Sequence, residues 1–484
     1  MDRDNQNLSM EPLPKKLHVI GICGVATSAL AIAFQKRGTI VTGSDKGFFP
    51  PVSTELEKQG ITFYPGWHPE KMFGGRDYTD SIIIVGTASG TNNPELIFAK
   101  EHNIPIYSYP EVIGKYFAKE RSVVCVGTWG KTSSSALLSF ILDYAGLEPS
   151  YMFGGISLSH SAGARISNSK WSVFEGDEYK SSPTDSRAKF FYYKATDLLL
   201  TAVSWDHADL YPTEQDYFSA FQKLINLLPT TGTITACTDR EDIKNIIKSF
   251  KGKIIPYGRE LPINQTRPEY FAYKNINQSV GGIDFTILNN GTAHKINSPM
   301  LGLYQAENIT GCFAIAITIG ITPETTIMAI SKFNGLKRRM EKRLAGDITI
   351  IDDIAHSPEK AFSVIDTLKS IYLEKIIVIF EPNSGGRSRE SITKYDEAFS
   401  KADVVIIPRL TKLKTDAGAS EQPMEGKELT SIIAKTHSNV KYIDDDDKLI
   451  SYLKSETRKG DVIAFLGSHG FRGMIEKMID IIKS

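Results

Sequence analysis

Cysteine is scarce in this 484-residue chain: Cys23, Cys125, Cys237 and Cys312 are the only four, and no two have CxxC spacing. That pattern excludes a disulfide scaffold and a zinc ribbon, and it fits a reducing, cytoplasmic setting. Charge of one sign is lacking too. Lys plus Arg and Asp plus Glu both number 56, so no global field draws the chain to nucleic acid or to an acidic membrane. No run of about 18 apolar residues occurs, and Met1 to Lys16 is polar, which predicts neither a membrane span nor an export signal. No solenoid-type repeat is visible. The length exceeds what one hydrophobic core serves, so two to four domains of about 100–200 residues are expected.

The strongest local signal is Val123–Ser135, VVCVGTWGKTSSS. A β-branched run ends at Gly127, the chain turns through Thr128, Trp129 and Gly130, and Lys131, Thr132 and Ser133 open an apolar-periodic helix reaching Tyr144. This reads as strand, phosphate loop and helix: backbone N–H groups converge on phosphate oxygens, Lys131 reaches the β/γ-phosphates, and the Thr132 hydroxyl can ligate Mg²⁺. Only the GTxGK[ST] half of the full pattern is present, since Cys125 stands where an earlier glycine belongs. Cys125 reads as a core residue rather than a nucleophile.

Upstream, residues 1–16 read as a disordered leader, and 17–118 as a first domain opening LHVIGICGVATSALAIAFQKRGTIVTGSD. Gly21 and Gly24 form the turn after the first strand, and Asp45 closes the second. The G-x-G-x-x-G fingerprint is not met, which counts against a dehydrogenase. Residues 119–332 make a central domain. In it FEGDE (Glu175, Asp177, Glu178) and WDHAD (Asp206, His207, Asp209) each follow a strand. Clustered carboxylates beside a phosphate loop suit Mg²⁺, a hard dication. The stretch QSVGGIDFTI reads as a hairpin and Asn308–Ile319 as a helix. Residues 333–484 form a third α/β domain with buried strands IIVIF, VVIIP and VIAFL. There the basic cluster Lys337, Arg338, Arg339 reads as a solvated helix end, and Asp444–Asp447 as a solvated loop.

The blocks GICGVATS, GTWGKT, FEGDE, WDHAD, GLKRRME and DDIAHSP occur in one order. That order closely resembles the Mur ligase family. DEYKSSPTDSRAKFFYY, DHADLYP, NNPE, IFEPNS and GSHGFRGMIEKMI are most similar to its murein peptide ligase branch, with the L-alanine-adding branch next. The resemblance implies a three-domain α/β protein: a Rossmann-like UDP-binding domain, a central P-loop ATPase domain and a C-terminal Rossmann-like domain. It implies an ADP-forming, ATP- and Mg²⁺-dependent ligase of peptidoglycan recycling or biosynthesis. Such a ligase phosphorylates the lactyl carboxylate of UDP-N-acetylmuramate, and the acyl phosphate is attacked by the amine of an amino acid or peptide.

Carried onto matching positions, the resemblance implies that Lys131, Glu175 and His207 are catalytic, with Thr132 and Glu175 holding one Mg²⁺ and His207 holding or orienting a second. Gly127, Thr128, Gly130, Lys131, Thr132, Ser133, Asn308, Arg339 and Asp353 would contact ATP, with Asn308 at adenine and Asp353 at ribose. Gly21, Gly24, Ser28, Ser44 and Asp45 would hold the UDP substrate. Asn383, Arg387 and Arg389 read as acceptor contacts, because guanidinium groups pair with the carboxylates of a peptide. Trp129 stands where relatives carry His, Gly176 replaces an alanine and Lys180 an acid. A non-catalytic nucleotide-binding relative is therefore a competing reading. The partners expected are small molecules, with no nucleic acid or membrane. The sequence leaves oligomeric state open.

Overall fold

The structure, a computed structural model, describes residues 11–48, 52–75, 77–86, 90, 92–160, 162–182, 185–207, 209–261, 269–412 and 422–484. Most of the expected leader lies outside them, as do Ala208 of WDHAD and Pro183 and Thr184 of the long branch-typical block. The chain divides into two compact units. One reaches Ile276 and adds Asp284–Ser298 and Ala306–Asn334; the other comprises Asn277–Ile283, Pro299–Gln305 and Gly335–Ser484. Among the described residues no helix is long and apolar enough to cross a membrane.

The first unit holds two large sheets. Its N-terminal sheet has five strands in the order Thr62–Pro65, Ile40–Asp45, Lys16–Ile20, Ser81–Val85, Ile106–Ser108, all parallel. Connection direction reverses at Lys16–Ile20, the switch point where open α/β sheets hold ligands at the carboxyl ends of their strands. Ile20 lies level with Ser44 and Val85, so the Gly21 turn and Asp45 meet at that edge.

The second sheet has ten strands, and Arg121–Val126 is internal to it, parallel to Asp197–Leu200 on one side and Trp171–Gly176 on the other. This placement brings three stretches far apart in sequence to one edge. Cys125 is level with Glu175 and Leu199, so the phosphate loop leaves the sheet between the acidic turn and Thr201–His207. Val123, Val124, Cys125 and Val126 are fully buried, as expected of a strand covered on both faces. The expected hairpin is present as Phe271–Ser279 and Gly282–Asn289, and the predicted helix runs Gln305–Thr318, starting three residues early.

The second unit has a six-stranded sheet ordered Glu341–Leu344, Thr349–Asp353, Val462–Gly467, Ile376–Glu381, Val404–Pro408, Val440–Ile443, of which only the first is antiparallel. Helices Pro358–Ile371 and Gly426–Ile433 cover one face through Ala361, Ile365, Leu368 and Leu429; Asp446–Glu456 and Met474–Lys483 cover the other through Leu449, Leu453 and Met478. Each such buried Leu, Ile or Met side chain contributes about 1.5–3 kcal/mol.

Two local expectations are corrected here. Asp444–Asp447 is loop only in its first half: Asp445 caps helix Asp446–Glu456 by accepting the Lys448 N–H, and Asp446 takes both Arg472 and Arg409. Arg338 is not a solvated helix end. Its guanidinium donates to the carbonyl oxygens of Gly467, Ser468 and His469, pinning the segment that leaves the Val462–Gly467 strand.

Candidate active site

Two glycines shape the phosphate loop. Gly127 has φ +137°, and a Cβ there would lie 2.4 Å from Thr201 Oγ1; Gly130 has φ +82°, and its Cβ would lie 2.4 Å from Asn308 Oδ1. Both combine a left-handed or open conformation with close approach, which only glycine tolerates. Thr128 turns its hydroxyl inward, accepting the Ser204 N–H at 2.8 Å and meeting Tyr217 Oη at 3.0 Å. Trp129 anchors its carbonyl on the Thr201 hydroxyl and leaves its ring 57% exposed.

Lys131 is the first residue of helix Lys131–Tyr144. Its ammonium donates to the carbonyl oxygens of Gly127 at 2.7 Å and Thr128 at 3.2 Å, and to Glu178 Oε1 at 3.2 Å. Thr132 Oγ1 lies 2.5 Å from Glu175 Oε1, and the other oxygen of Glu175 accepts the Gly154 N–H at 2.6 Å. Ser133 is half-buried in the same helical turn. His207, held at φ +56°, sets Nε2 3.7 Å from Glu178 Oε1. Such a backbone conformation in a non-glycine residue is uncommon and concentrates at functional sites.

Glu178, only 1% exposed, is the hub of this cluster. Tyr217 donates to its Oε1 at 3.2 Å, and Tyr211 to its backbone carbonyl at 2.6 Å. Oε2 receives no well-directed hydrogen bond although the Lys131 ammonium stands 3.0 Å away. Burial pushes the Glu178 carboxyl up, against the pull of Lys131. Burial also works against ionisation of Asp177, but the ammonium of Lys189 outweighs it and holds that carboxyl below its ordinary range. Lys189 is 8% exposed, bonded to Asp177 and set over the rings of Tyr109 and Tyr179, each centroid 5.6 Å away. Sequence reasoning missed Lys189. Its signal was a lysine beside an aromatic run, which reads equally as an ordinary helix edge.

Thr132 and Glu175 present hard oxygens side by side at the helix N-terminus, the donor set Mg²⁺ requires, so these residues fit the ion. A second cluster does not. Cys237, Asp239 and Glu307 place ligand atoms within 4.8 Å of one another, but Arg240 already donates to Glu307 at 3.1 Å and to Cys237 Sγ at 3.6 Å. Burial pushes the Cys237 thiol up, so a guanidinium, not a metal, satisfies the group.

In the N-terminal sheet Asp45 accepts the Cys23 N–H at 2.9 Å and the Lys46 N–H at 2.7 Å, fixing the turn that contains Gly21 and Gly24. Ser28 and Ser44 depart from expectation. Ser28 is buried and donates to the Val25 carbonyl, while Ser44 is fully buried and donates to Glu95 Oε2 at 2.5 Å. The Ser28 bond is local to its helix, whereas the Ser44 hydroxyl is taken by Glu95, which gathers strand ends: it also accepts from Tyr64 Oη and the His68 N–H, both at 2.9 Å.

In the second unit Arg339 is exposed, whereas Asp353 is buried with Oδ2 on the Met340 N–H and Oδ1 on the Ala355 N–H, each 2.7 Å. Asp353 therefore braces two turns of backbone instead of standing free for a ribose. Arg387 is a clear correction. It is 2% exposed, with Nε on the Met424 carbonyl, Nη1 on the Thr411 carbonyl, each 2.8 Å, and Nη2 on Glu425 at 2.9 Å. A guanidinium so committed has no face left for an acceptor. Arg389 is exposed and paired with Glu428, and Asn383 accepts the Gly386 N–H at 2.9 Å. Nearby, buried Glu381 accepts from the Thr411 N–H and hydroxyl through Oε1, leaving Oε2 without a hydrogen bond, 3.6 Å from Arg472.

Three profiles of one family match successive parts of the chain: "Mur ligase family, catalytic domain" over residues 16–121, "Mur ligase middle domain" over 126–316, and "Mur ligase, glutamate ligase domain" over 338–469. The chain belongs to the Mur ligase family. As such it is an ADP-forming ligase that uses ATP and Mg²⁺. It is 29% identical over 477 residues to a UDP-N-acetylmuramate–L-alanine ligase of Caldicellulosiruptor saccharolyticus, covering 96% of this chain and 98% of the relative. It is 26% identical over 484 residues to the UDP-N-acetylmuramate–L-alanyl-gamma-D-glutamyl-meso-2,6-diaminoheptandioate ligase of Haemophilus influenzae, covering 97% and 99%. In fold it resembles a murein peptide ligase from Psychrobacter arcticus (TM-score 0.68, 23% identity, 96% and 98% covered). It also resembles a UDP-N-acetylmuramate-alanine ligase from Thermotoga maritima (TM-score 0.77, 19% identity, 97% and 99% covered). The family read from motif order is thereby borne out, as is its α/β architecture.

Proposed function

We propose that this ligase joins the lactyl carboxylate of UDP-N-acetylmuramate to the amine of an L-alanyl-γ-D-glutamyl-meso-diaminopimelate peptide, in peptidoglycan recycling. The observation that carries the reading is the convergence of Lys131, Thr132, Glu175, Glu178 and His207 at adjoining strand ends. The reaction brings a carboxylate oxygen to a γ-phosphate, two anions that repel. Lys131 and the helix N-terminus offset that repulsion with fixed positive charge, and Mg²⁺ held by Thr132 and Glu175 would neutralise phosphate charge. A carboxylate O–P bond forms as the bond to ADP breaks; the acceptor nitrogen then attacks the carbonyl carbon and phosphate leaves. Lys131, Glu175 and His207 are assigned to this chemistry. The base would pack near Asn308, with Gly127, Thr128, Gly130 and Ser133 around the phosphates and Arg339 as a further cation. Gly21, Gly24 and Asp45 are assigned to the uridine diphosphate end. Domain limits of 17–118, 119–332 and 333–484 accompany this reading.

The peptide acceptor is supported by the branch-typical blocks DEYKSSPTDSRAKFFYY and GSHGFRGMIEKMI. We place its contacts beyond the carboxyl end of Ile376–Glu381, where Asn383 and Arg389 offer polar groups. L-alanine is the second reading, favoured by the name of the 29% identical relative and by the withdrawal of Arg387 from the acceptor contacts. ADP release with UDP-N-acetylmuramate and either tripeptide, tetrapeptide or L-alanine tests both. Turnover with peptide alone supports the first reading; equal or better turnover with L-alanine replaces it with the second, and no turnover with any of them removes both.

A further inference from the structure

The contacts of Lys131 exhaust its donors. An ammonium carries three N–H groups, and three acceptor groups, the Gly127 carbonyl, the Thr128 carbonyl and the Glu178 carboxylate, lie within 3.2 Å of Nζ. A phosphate can therefore receive a hydrogen bond from Lys131 only after one of these contacts is released. Two are neutral carbonyls of the loop itself. The third is a carboxylate, with Oε1 3.2 Å and Oε2 3.0 Å from the same ammonium.

Glu178 is also poorly placed to follow the lysine. Tyr217 Oη holds its Oε1 at 3.2 Å and is itself held by Thr128 Oγ1 at 3.0 Å, while Tyr211 Oη holds its backbone carbonyl at 2.6 Å. The side chain is sealed from solvent, whereas Lys131 keeps a long flexible stem.

We propose that Glu178 is a resting seat for the Lys131 ammonium and competes with nucleotide phosphates for it. Without nucleotide the lysine is parked on Glu178; with nucleotide it turns to the phosphates and empties the carboxylate. A parked state favoured ten to one over the free lysine lowers apparent phosphate affinity about tenfold, because only the free fraction is competent. Glu178 is thus a positioning residue that acts through Lys131.

Calorimetric titration of ADP into the full-length protein in EDTA isolates the lysine from any metal. Glu178→Gln should bind ADP about tenfold more tightly than the parent protein. Glu178→Asp, which withdraws the carboxylate by one methylene but keeps the buried charge, should shift the same way and carries the test if the glutamine variant fails to fold. On a Lys131→Ala background, Glu178→Gln should make no difference to ADP affinity, a cancellation that a merely structural role for Glu178 would not produce. ADP binding to the folded variants no tighter than to the parent overturns the proposal. So does a gain that persists without Lys131.

Discussion

Arg387 and Met424 hold each other by two bonds: the Arg387 guanidinium donates to the Met424 carbonyl at 2.8 Å, and the Met424 N–H donates to the Arg387 carbonyl at 2.8 Å. With Thr411 O and Glu425 also engaged, this arginine ties Thr411 to Met424 and Glu425. It is a structural cation at a strand end where a recognition cation was expected.

Replacing Arg387 with Ala should accordingly destabilise the second unit by roughly 1–3 kcal/mol, because the Met424 and Thr411 carbonyls lose their donor while the exposed Glu425 is left in water. Urea denaturation would show a lowered midpoint. A variant with unchanged stability and a selectively raised KM for the acceptor would restore the recognition role.

Lys131→Ala should leave the chain folded, though less stable because buried Glu178 loses its ion-pair partner, and should lower turnover by about 10²-fold or more, the usual cost of removing one preorganised charge from a phosphoryl-transfer site. Circular dichroism and an ADP-release assay read the two effects separately. Near-parental turnover would refute the assignment of this loop to phosphate.

Gly130→Ala tests the loop geometry instead of its charge. The added Cβ meets Asn308 Oδ1 at 2.4 Å in a conformation with φ +82°, so strain of about 1–3 kcal/mol is expected. ATP binding should weaken sharply while the uridine-nucleotide affinity proposed for the N-terminal sheet stays as it was. Calorimetry with each nucleotide distinguishes this from general unfolding, in which both would be lost.

His160 should make stability depend on pH. Burial lowers its pKa from 6.5 to about 4, and its ring nitrogens face the hydroxyls of Ser139 at 3.2 Å and Ser157 at 3.0 Å. The unfolded chain takes up a proton below about pH 6.5 that the folded chain refuses until about pH 4. The contribution of His160 is therefore complete above pH 6.5 and is lost as pH falls toward 4, by about 3 kcal/mol. Chemical denaturation of His160→Gln and the parent protein at pH 7.5, 5.5 and 4.5 checks this. The stability gap between them should narrow as pH falls, and a constant gap would contradict it.

Much of the molecule was written in local pattern. The β-branched run Val123–Val126 followed by glycines and Lys131 specifies strand, loop and helix through neighbouring residues alone, and the structure has each in place. Family membership followed from motif order, which tertiary structure does not alter. What the sequence could not express was which charged groups are already spoken for. Arg387 and Met424 lie 37 residues apart, Lys131 and Glu178 47, Ser44 and Glu95 51. A residue's identity announces its charge and its donors, but whether those face a ligand or another part of the chain depends on which strand ends the sheets bring level. Arg387, Asp353 and Ser44 were turned inward by that placement, and Glu178 and Lys189 were drawn into the site by it.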